Sequence, residues 1–387
     1  LNRVDHKAPG PPPGALQNRY HKSERDRGGR KMSNIASHAN RDKVYRVAQW
    51  AAGRIGQSAM RAVIRHPNME LVGLYVHSDS KAGRDAGELA GVDPIGVKAT
   101  RSIDQLIALK PDCVLYMQEG YNIDDMCRLL EAGINLVTTR SEFFCANRMN
   151  PQHRDNLESA CQKGGSSLFA TGSSPGFSTA VLPMVMTCMS RRVDCLTIDE
   201  FADIPASTSP DMVTNVMGFG KPMPREFSQQ TLDHMAVGFA QSLGAIADGM
   251  CMGIDKFETR GEFALANSPL TLPGGAVIEK GTVAGQRITV AAIRHGKPVL
   301  QFRANWYCSR DIDQNWELNA NGWRVSVEGD TPMNVDISFP RSATESYADQ
   351  MSGLTAHPAV NAIPYVCEAA PGIRSNMDLP PIVPKLR

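Results

Sequence analysis

Residues 47–64 read "VAQWAAGRIGQSAMRAVI" and run from an apolar stretch through a turn of small residues into a helical pattern. The segment "KVYRVAQW" has the composition of a buried strand. In the helical part the apolar residues share one stripe: Ile55, Ala59, Met60, Val63 and Ile64. A strand, a glycine-containing turn and an amphipathic helix in this order are typical of the first unit of a nucleotide-binding α/β fold.

The same alternation continues to about residue 175. Short apolar runs read as strands in "MELVGLYVH", "DCVLYM", "INLVTT" and "SSLFATG". Helical patterns separate most of them, in "SIDQLIALK", "NIDDMCRLLEAG" and "NPQHRDNLESACQKGG". Strands spaced by helices predict an α/β, Rossmann-type doubly wound parallel sheet, which we assign to a dinucleotide-binding domain over residues 41–175.

The rest of the chain has a different texture. Strand-like alternation with glycine-rich turns, interrupted by the helical "SQQTLDHMAVGFAQSLGAIADGM", predicts an α+β substrate and dimerisation domain over residues 176–350. Residues 351–387 are expected to be a helix that returns to the Rossmann domain, followed by a tail. Residues 1–40 are rich in Pro, Gly and charge, so we expect a disordered extension upstream of a natural start near Met32.

Composition excludes several classes of function. The 387 residues carry a formal net charge of +1, which gives no electrostatic reason to expect a nucleic-acid partner. No run of about eighteen apolar residues predicts a membrane span. Nine scattered cysteines without a C-x-x-C pair indicate reduced thiols in a cytoplasmic protein, with neither a disulfide framework nor a metal site.

The turn at residues 51–56 is the predicted cofactor site. Gly53 is the position where backbone approaches a pyrophosphate, and Gly56 is where helix and strand pack closely. Ala51 replaces the usual first glycine, which the turn can accept if its φ is negative. The phosphates would lie at the helix N-terminus. The residues expected to bind the dinucleotide here are Ala52, Gly53, Arg54, Ile55 and Gly56.

The end of the second strand bears on the choice between NADP(H) and NAD(H). His77 and Ser78 stand where an NAD-specific site has an acidic residue, and Lys81 and Arg84 follow. A hydroxyl with nearby cations suits a 2′-phosphate, so we expect His77, Ser78 and Lys81 to bind NADP(H). Asp79 leaves NAD(H) possible, and a solvated surface loop is the alternative.

Two carboxylates follow sheet strands, where ligands of open α/β sheets bind. Glu119 lies in "MQEGYN", although it could simply begin the next helix. Glu142 lies in "RSEFF", where Phe143 and Phe144 create an apolar setting that suits proton transfer near neutral pH. A salt bridge between Glu142 and Arg140 is the structural alternative.

Several segments resemble the native amine dehydrogenases related to 2,4-diaminopentanoate dehydrogenase, which share an N-terminal domain with dihydrodipicolinate reductase. They are "QWAAGRIGQSAMRAV", "AGRDAGELAGV", "LEAGINLVTTRSEFF", "GSSPGF", "DMVTNVMGFG" and "NAIPYVCEAAPGI", and the resemblance spans roughly residues 43–375. It implies NAD(P)H-dependent reductive amination of a small ketone or aldehyde with ammonia, and the reverse deamination. The family's catalytic glutamate in a T-x-E-E-L-like turn maps onto Glu142, with Phe143 and Phe144 replacing the last two residues.

Other pocket residues are assigned by position. Met117 and Gln118 are expected to flank the nicotinamide ribose, or to be ordinary loop residues. Asn361 in "NAIP" is expected to bind the nicotinamide amide, unless it caps or bridges backbone. Phe144 and Phe177 are expected in the substrate pocket, and Trp323 is expected in core packing. A homodimer paired through the second domain is also expected.

Two other functions compete with this prediction. A dihydrodipicolinate reductase proper would carry a paired-histidine motif with a lysine and a D-A-P-S-G-T segment, and the sequence has neither. A non-catalytic NADP(H) sensor would have no need of a proton-transfer residue, whereas Glu142 is present.

Overall fold

The structure, a computed structural model, describes residues 43–204, 212–272 and 275–385. The extension predicted over residues 1–40 lies outside them. The first strands are β1 (Tyr45–Trp50), β2 (Met69–Tyr75), β3 (Ala99–Thr100), β4 (Cys113–Tyr116), β5 (Asn135–Thr138) and β6 (Ser167–Ala170). The helices between them are α1 (Arg54–Ile64), α2 (Ala86–Ala90), α3 (Ile103–Ala108), α4 (Ile123–Glu131) and α5 (Pro151–Gly164).

These strands form a parallel sheet with β1 near its centre. The order of the first six is β6-β5-β4-β1-β2-β3, so the chain winds outward from β1 in both directions. Helices cover both faces, which is why β4 and β6 are buried along their whole length. The Rossmann-type α/β fold predicted from the alternation of strands and helices is confirmed. It places the carboxyl ends of β1, β2, β4 and β5 along one edge.

The second sheet is mixed and lies mostly after residue 190. Its elements are α6 (Leu182–Thr187), β7 (Val193–Asp203), α7 (Gln229–Gly249), β8 (Lys256–Leu265), β11 (Val283–Arg294), β12 (Lys297–Tyr307), β13 (Gly322–Gly329) and β14 (Met333–Ser338), with a small hairpin of β9 (Leu270–Thr271) and β10 (Val277–Ile278). The strand order is β14-β13-β7-β12-β11-β8, and only β7 and β12 pair in parallel. Helix α7 buries Phe239 and Leu243 against one face. Neither α7 nor any other helix in the described ranges is long and apolar enough to cross a membrane.

The C-terminal segment returns to the first sheet. Helix α8 (Tyr347–Cys367) packs Ala356, Val360 and Ile363 into the same core as α1. Beyond it, β15 (Gly372–Arg374) pairs in parallel with β6 and makes the first sheet seven-stranded. The tail expected after the helix therefore includes a strand. The described residues from 43 onward belong to one compact unit, and the predicted domain boundaries near 175 and 350 stay predictions.

Candidate active site

The turn after β1 is held in a conformation that the sequence did not indicate. Ala51 has φ +74°, in the left-handed region, so the negative φ under which the turn would accept its methyl group is not the one observed. Its backbone is fixed on both sides: the Ala51 N–H donates to the Tyr75 carbonyl at 2.9 Å, and Gln49 Nε2 donates to the Ala51 carbonyl at 3.0 Å. Alanine thus occupies a conformation that glycine adopts freely.

Ala51→Gly is expected to stabilise the protein. A left-handed L-residue costs about 1–2 kcal/mol, and glycine removes that cost while loosening the unfolded chain. We expect the free energy of unfolding to rise by about 1 kcal/mol in urea denaturation. A lower stability of Ala51→Gly would show that the turn tolerates alanine without strain.

The two remaining glycines have different surroundings. A methyl group built on Gly56 would lie 2.3 Å from the Ala51 carbonyl oxygen, so only glycine lets α1 approach the turn this closely. A methyl group built on Gly53 would meet nothing within 4 Å, because Gly53 faces open space. Gly53 is also the N-cap of α1, and no side chain caps the helix there. Open space beside uncapped N–H groups, including those of Arg54 and Ile55, fits the diphosphate of a dinucleotide.

Lys81 is brought to this turn. Its Nζ donates to the Ala52 carbonyl at 3.0 Å and so joins the loop after β2 to the turn after β1. Ser78 is exposed nearby and its hydroxyl lies 3.1 Å from that of Ser80. Asp79, the residue that left NAD(H) possible, forms an ion pair with Arg101. The loop after β2 therefore carries Lys81, and a second cation, Arg101, reaches it from the end of β3 by pairing with Asp79.

Gln118 links the ends of β1, β2 and β4. Its Oε1 accepts from Trp50 Nε1 at 2.8 Å and lies 2.7 Å from His77 Nε2. Since Oε1 can only accept, His77 donates through Nε2. Trp50 stacks on Tyr75 with ring centroids 3.8 Å apart, which holds the Trp50 ring in place for its hydrogen bond to Gln118. Gln118 is thus placed beside His77, while Met117 is buried in the core that the first sheet shares with α1 and α8.

Glu142 lies in a 3₁₀ turn, Ser141–Phe143, just after β5. Arg140 Nη2 donates to Glu142 Oε1 at 2.5 Å, so the salt bridge considered from the sequence is present. The pair is partly buried, with 28% of the Arg140 side chain and 22% of the Glu142 side chain exposed. Arg140 Nε is buried and has no hydrogen-bond partner among the described residues. A guanidinium N–H thus remains to bind another group near the carboxylate.

Phe143 and Phe144, the neighbours of Glu142, are both buried in the core shared by β4, α4 and α5. Phe144 also borders a cavity of about 340 Å³ with Cys145, Asp248 and Arg374, in which neither Glu142 nor Phe177 takes part. That Phe144 and Phe177 line one substrate pocket stays a prediction.

Phe177 follows a tight turn, residues 173–176, after β6. Its ring is 39% exposed and lies 6.4 Å from the Trp323 ring, so Trp323 of β13 packs at this site instead of only in the core. The turn contacts α8 through the Ser173 and Thr355 hydroxyls, 2.8 Å apart. The turn also lies near Ser141, the residue before Glu142, because both border Gly238 of α7. A methyl group built on Gly238 would lie 3.3 Å from Ser141 Oγ and 3.8 Å from Pro175 Cγ.

Glu200 is a carboxylate that we did not single out from the sequence. Its Oε2 accepts from Trp323 Nε1 at 3.3 Å, and the Ser174 hydroxyl lies beside it. Burial raises the pKa of Glu200 above its ordinary value, and these two donors only partly offset the effect. The alternation of β7 contained a signal, because Leu196, Ile198 and Glu200 share one face and the first two are core residues.

The remaining assigned residues are spread more widely. Asn361 lies inside α8, between Pro358 and Pro364, so it caps no helix. Because Pro364 has no backbone N–H, it cannot make the helical hydrogen bond to the carbonyl of Val360, the residue before Asn361. Glu119 is exposed and precedes Asn122, the N-cap of α4, by three residues, so it is not in that helix. In the described part of the chain no group of three acidic, His or Cys side chains is placed to hold a metal ion.

Two family models match the chain. The C-terminal domain of 2,4-diaminopentanoate dehydrogenase matches residues 179–385, and the N-terminus of dihydrodipicolinate reductase matches residues 50–139. The first covers more than half of the chain and includes Glu200, Trp323 and Asn361.

Individual proteins agree with these matches. An amine dehydrogenase of Streptomyces virginiae is 27% identical over 345 residues, which are 86% of this chain and 95% of that protein. A 4-hydroxy-tetrahydrodipicolinate reductase of Synechocystis is 34% identical over 71 residues, 18% of this chain and 26% of its own. The structure of an amine dehydrogenase from Mycobacterium smegmatis superposes with a TM-score of 0.66 at 17% identity, covering 89% of this chain and 98% of that one, and so shares the fold.

Proposed function

We propose that this chain, a member of the amine dehydrogenase family related to 2,4-diaminopentanoate dehydrogenase, reductively aminates small ketones or aldehydes with ammonia. As a member of that family it is an NAD(P)-dependent oxidoreductase. In the reverse direction it would deaminate the amine oxidatively. The observation that carries the proposal is the position of Glu142. Its carboxylate follows β5 at the edge of the sheet where the open glycine turn also lies.

The residues for the cofactor are those around the turn. The N–H groups at the start of α1 would bind the diphosphate, and Gly53 leaves room for it. We expect Asn361 to bind the nicotinamide amide, with the carbonyl of Val360 as a second partner. The bound nicotinamide supplies the hydride that reduces the iminium carbon.

Glu142 would move protons on the substrate. Ammonia attack on a carbonyl gives an ammonium and an alkoxide on the same carbon, and the Glu142 carboxylate can carry a proton from that nitrogen to that oxygen. The product is a neutral carbinolamine, and Glu142 is again a carboxylate. Its negative charge would then stabilise the iminium cation that forms when water leaves. Arg140 holds the carboxylate in place through the 2.5 Å hydrogen bond.

We propose that NADP(H) is preferred and that NAD(H) is accepted less well. Lys81 and Arg101 support this proposal, because Lys81 reaches the turn after β1 and Arg101 pairs with Asp79, the residue next to Ser78. Asp79 is engaged by Arg101, which reduces its ability to accept from a ribose hydroxyl.

Lys81→Met is expected to weaken NADPH binding more than NADH binding. A charge-assisted hydrogen bond contributes about 1.5–3 kcal/mol, so the Kd for NADPH should rise by about tenfold or more. Loss of the bond to the Ala52 carbonyl should affect both cofactors equally. Titration of both cofactors measures the difference, with Lys163→Met as an exposed control far from the turn. Equal losses for NADPH and NADH would contradict a 2′-phosphate role.

A homodimer in the cytoplasm completes the proposal. The face of the second sheet opposite α7 carries an ordered polar pair, in which Arg303 donates to both oxygens of Asp199 at 2.7 and 2.5 Å. Such a rigid polar face suits pairing with a second copy across a two-fold axis. Sedimentation equilibrium would measure the oligomeric state.

The function is tested by NADPH oxidation with cyclohexanone in an alkaline buffer, with and without ammonium. Ammonium-dependent oxidation is the expected result. Oxidation without ammonium would indicate a carbonyl reductase, and NADPH binding without oxidation across a panel of ketones and aldehydes would indicate a sensor.

A further inference from the structure

Glu200 lies where the second sheet meets the turn before Phe177. On β7 the apolar face formed by Leu196 and Ile198 packs under α7, and Glu200 continues that face toward the turn. Glu200 is directly opposite Trp323 on β13, whose ring lies beside Phe177. The carboxyl is thus on the side of the sheet that closes the predicted substrate pocket.

Neighbouring residues lead from Glu200 to the Glu142 turn. Ser174 lies beside the Glu200 carboxyl, and the next residue, Pro175, lies near the same glycine of α7, Gly238, as Ser141, the neighbour of Glu142. Glu200 and Glu142 thus lie on different sheets and on either side of the segment where Pro175 and Ser141 meet α7.

The two carboxyls have different environments. Arg140 pairs with Glu142 and stabilises its negative charge. No cation pairs with Glu200 in residues 43–204, 212–272 and 275–385, and its hydrogen bond is to the neutral indole N–H of Trp323. A half-buried carboxyl without a cation favours the neutral acid, which can donate a proton. Carboxyls in such contrasting settings divide the acid and base roles in other enzymes.

We propose that Glu200 is a second catalytic residue, the acid that protonates the departing hydroxyl of the carbinolamine. The inference rests on the proposed amination. The C–O bond breaks, the oxygen takes the Glu200 proton and leaves as water, and the nitrogen lone pair forms the C=N bond. The products are an iminium cation, water and the Glu200 carboxylate, so atoms and charge balance. Solvent then returns a proton to Glu200.

The test compares a substrate that must add ammonia and lose water with one that enters as the imine. Cyclohexanone with ammonium requires the loss of water, whereas a preformed cyclic imine, a methyl-pyrroline, is reduced without it. Glu200→Gln should lower kcat for the ketone by about 10²-fold or more and leave kcat for the imine unchanged. Glu142→Gln should lower both, because both pass through an iminium cation.

Controls separate this inference from the proposed function and from misfolding. Wild-type protein without ammonium-dependent turnover would overturn the amination itself. If the wild type is active, two results would overturn only the role of Glu200: a Glu200→Gln variant with wild-type kcat for the ketone, or one whose kcat falls equally for the ketone and the imine. Glu317→Gln, an exposed carboxylate of the same part of the chain, is the matched control. Trp323→Phe removes the N–H donor to Glu200 and keeps a ring beside Phe177. It should therefore change kcat for the ketone and leave kcat for the imine unchanged.

Discussion

Glu142→Gln is expected to lower the rate of ketone amination by about 10²- to 10⁴-fold while NADPH binding is retained. Glutamine keeps the shape of the side chain and can still bond to Arg140, but it cannot take up a proton or balance the iminium charge. The Arg140–Glu142 pair is partly buried, so replacing its charged hydrogen bond by a neutral one should cost about 1–3 kcal/mol of stability. Steady-state kinetics, with NADPH titration and thermal melting on the same samples, measure these effects.

Glu119→Gln is the matched control for that substitution. Glu119 follows β4 as Glu142 follows β5, and it is exposed at the same edge of the sheet. Its activity should equal that of the wild type. If Glu119→Gln were inactive and Glu142→Gln active, the proton-transfer role would belong to the other loop.

Gly53→Ala is expected to weaken NADPH binding without loss of stability, whereas Gly56→Ala is expected to lose stability. At Gly53 the backbone has φ −78° and ψ −177°, which alanine adopts, and the methyl group would meet no protein atom within 4 Å. The fold should therefore stay within about 1 kcal/mol of the wild type in stability. The methyl group would nevertheless occupy the space expected for the diphosphate, so the Kd for NADPH should rise by about tenfold or more.

At Gly56 the added methyl group would collide with the Ala51 carbonyl. That atom belongs to the backbone and is also held by Gln49, so it cannot move aside cheaply. Overpacking of this kind costs about 1–3 kcal/mol of stability. Urea denaturation and NADPH titration of both variants provide the comparison. Equal stability of the two, with unchanged NADPH binding in Gly53→Ala, would contradict a dinucleotide site at this turn.

Period and spacing made the first sheet predictable. Each of β1, β2, β4, β5 and β6 is a short, mostly apolar run, and helical patterns separate most of them, so a mostly buried sheet is visible in the sequence. The last strand, β15, has three residues and pairs only because α8 returns the chain to β6. No local pattern of that length distinguishes a strand from a tail.

The site was predictable where it depends on the order of residues and not where it depends on contacts. The two-residue spacing of Arg140 and Glu142 already indicated their salt bridge. The left-handed conformation of Ala51, whose carbonyl lies against Gly56, is a feature of the turn that residue spacing does not encode. The alternation of β7 places Glu200 on the face of the core residues, but its partner is Trp323, more than a hundred residues later, which the sequence does not place opposite it.

The central claim is that nitrogen from ammonia is incorporated into the product. The most direct measurement incubates the protein with NADPH, cyclohexanone and isotopically heavy ammonium and identifies the product by mass spectrometry. We predict cyclohexylamine that carries the heavy nitrogen, formed in equal amount to the NADPH consumed. Cyclohexanol as the product, with NADPH consumed and no labelled amine, would contradict the account.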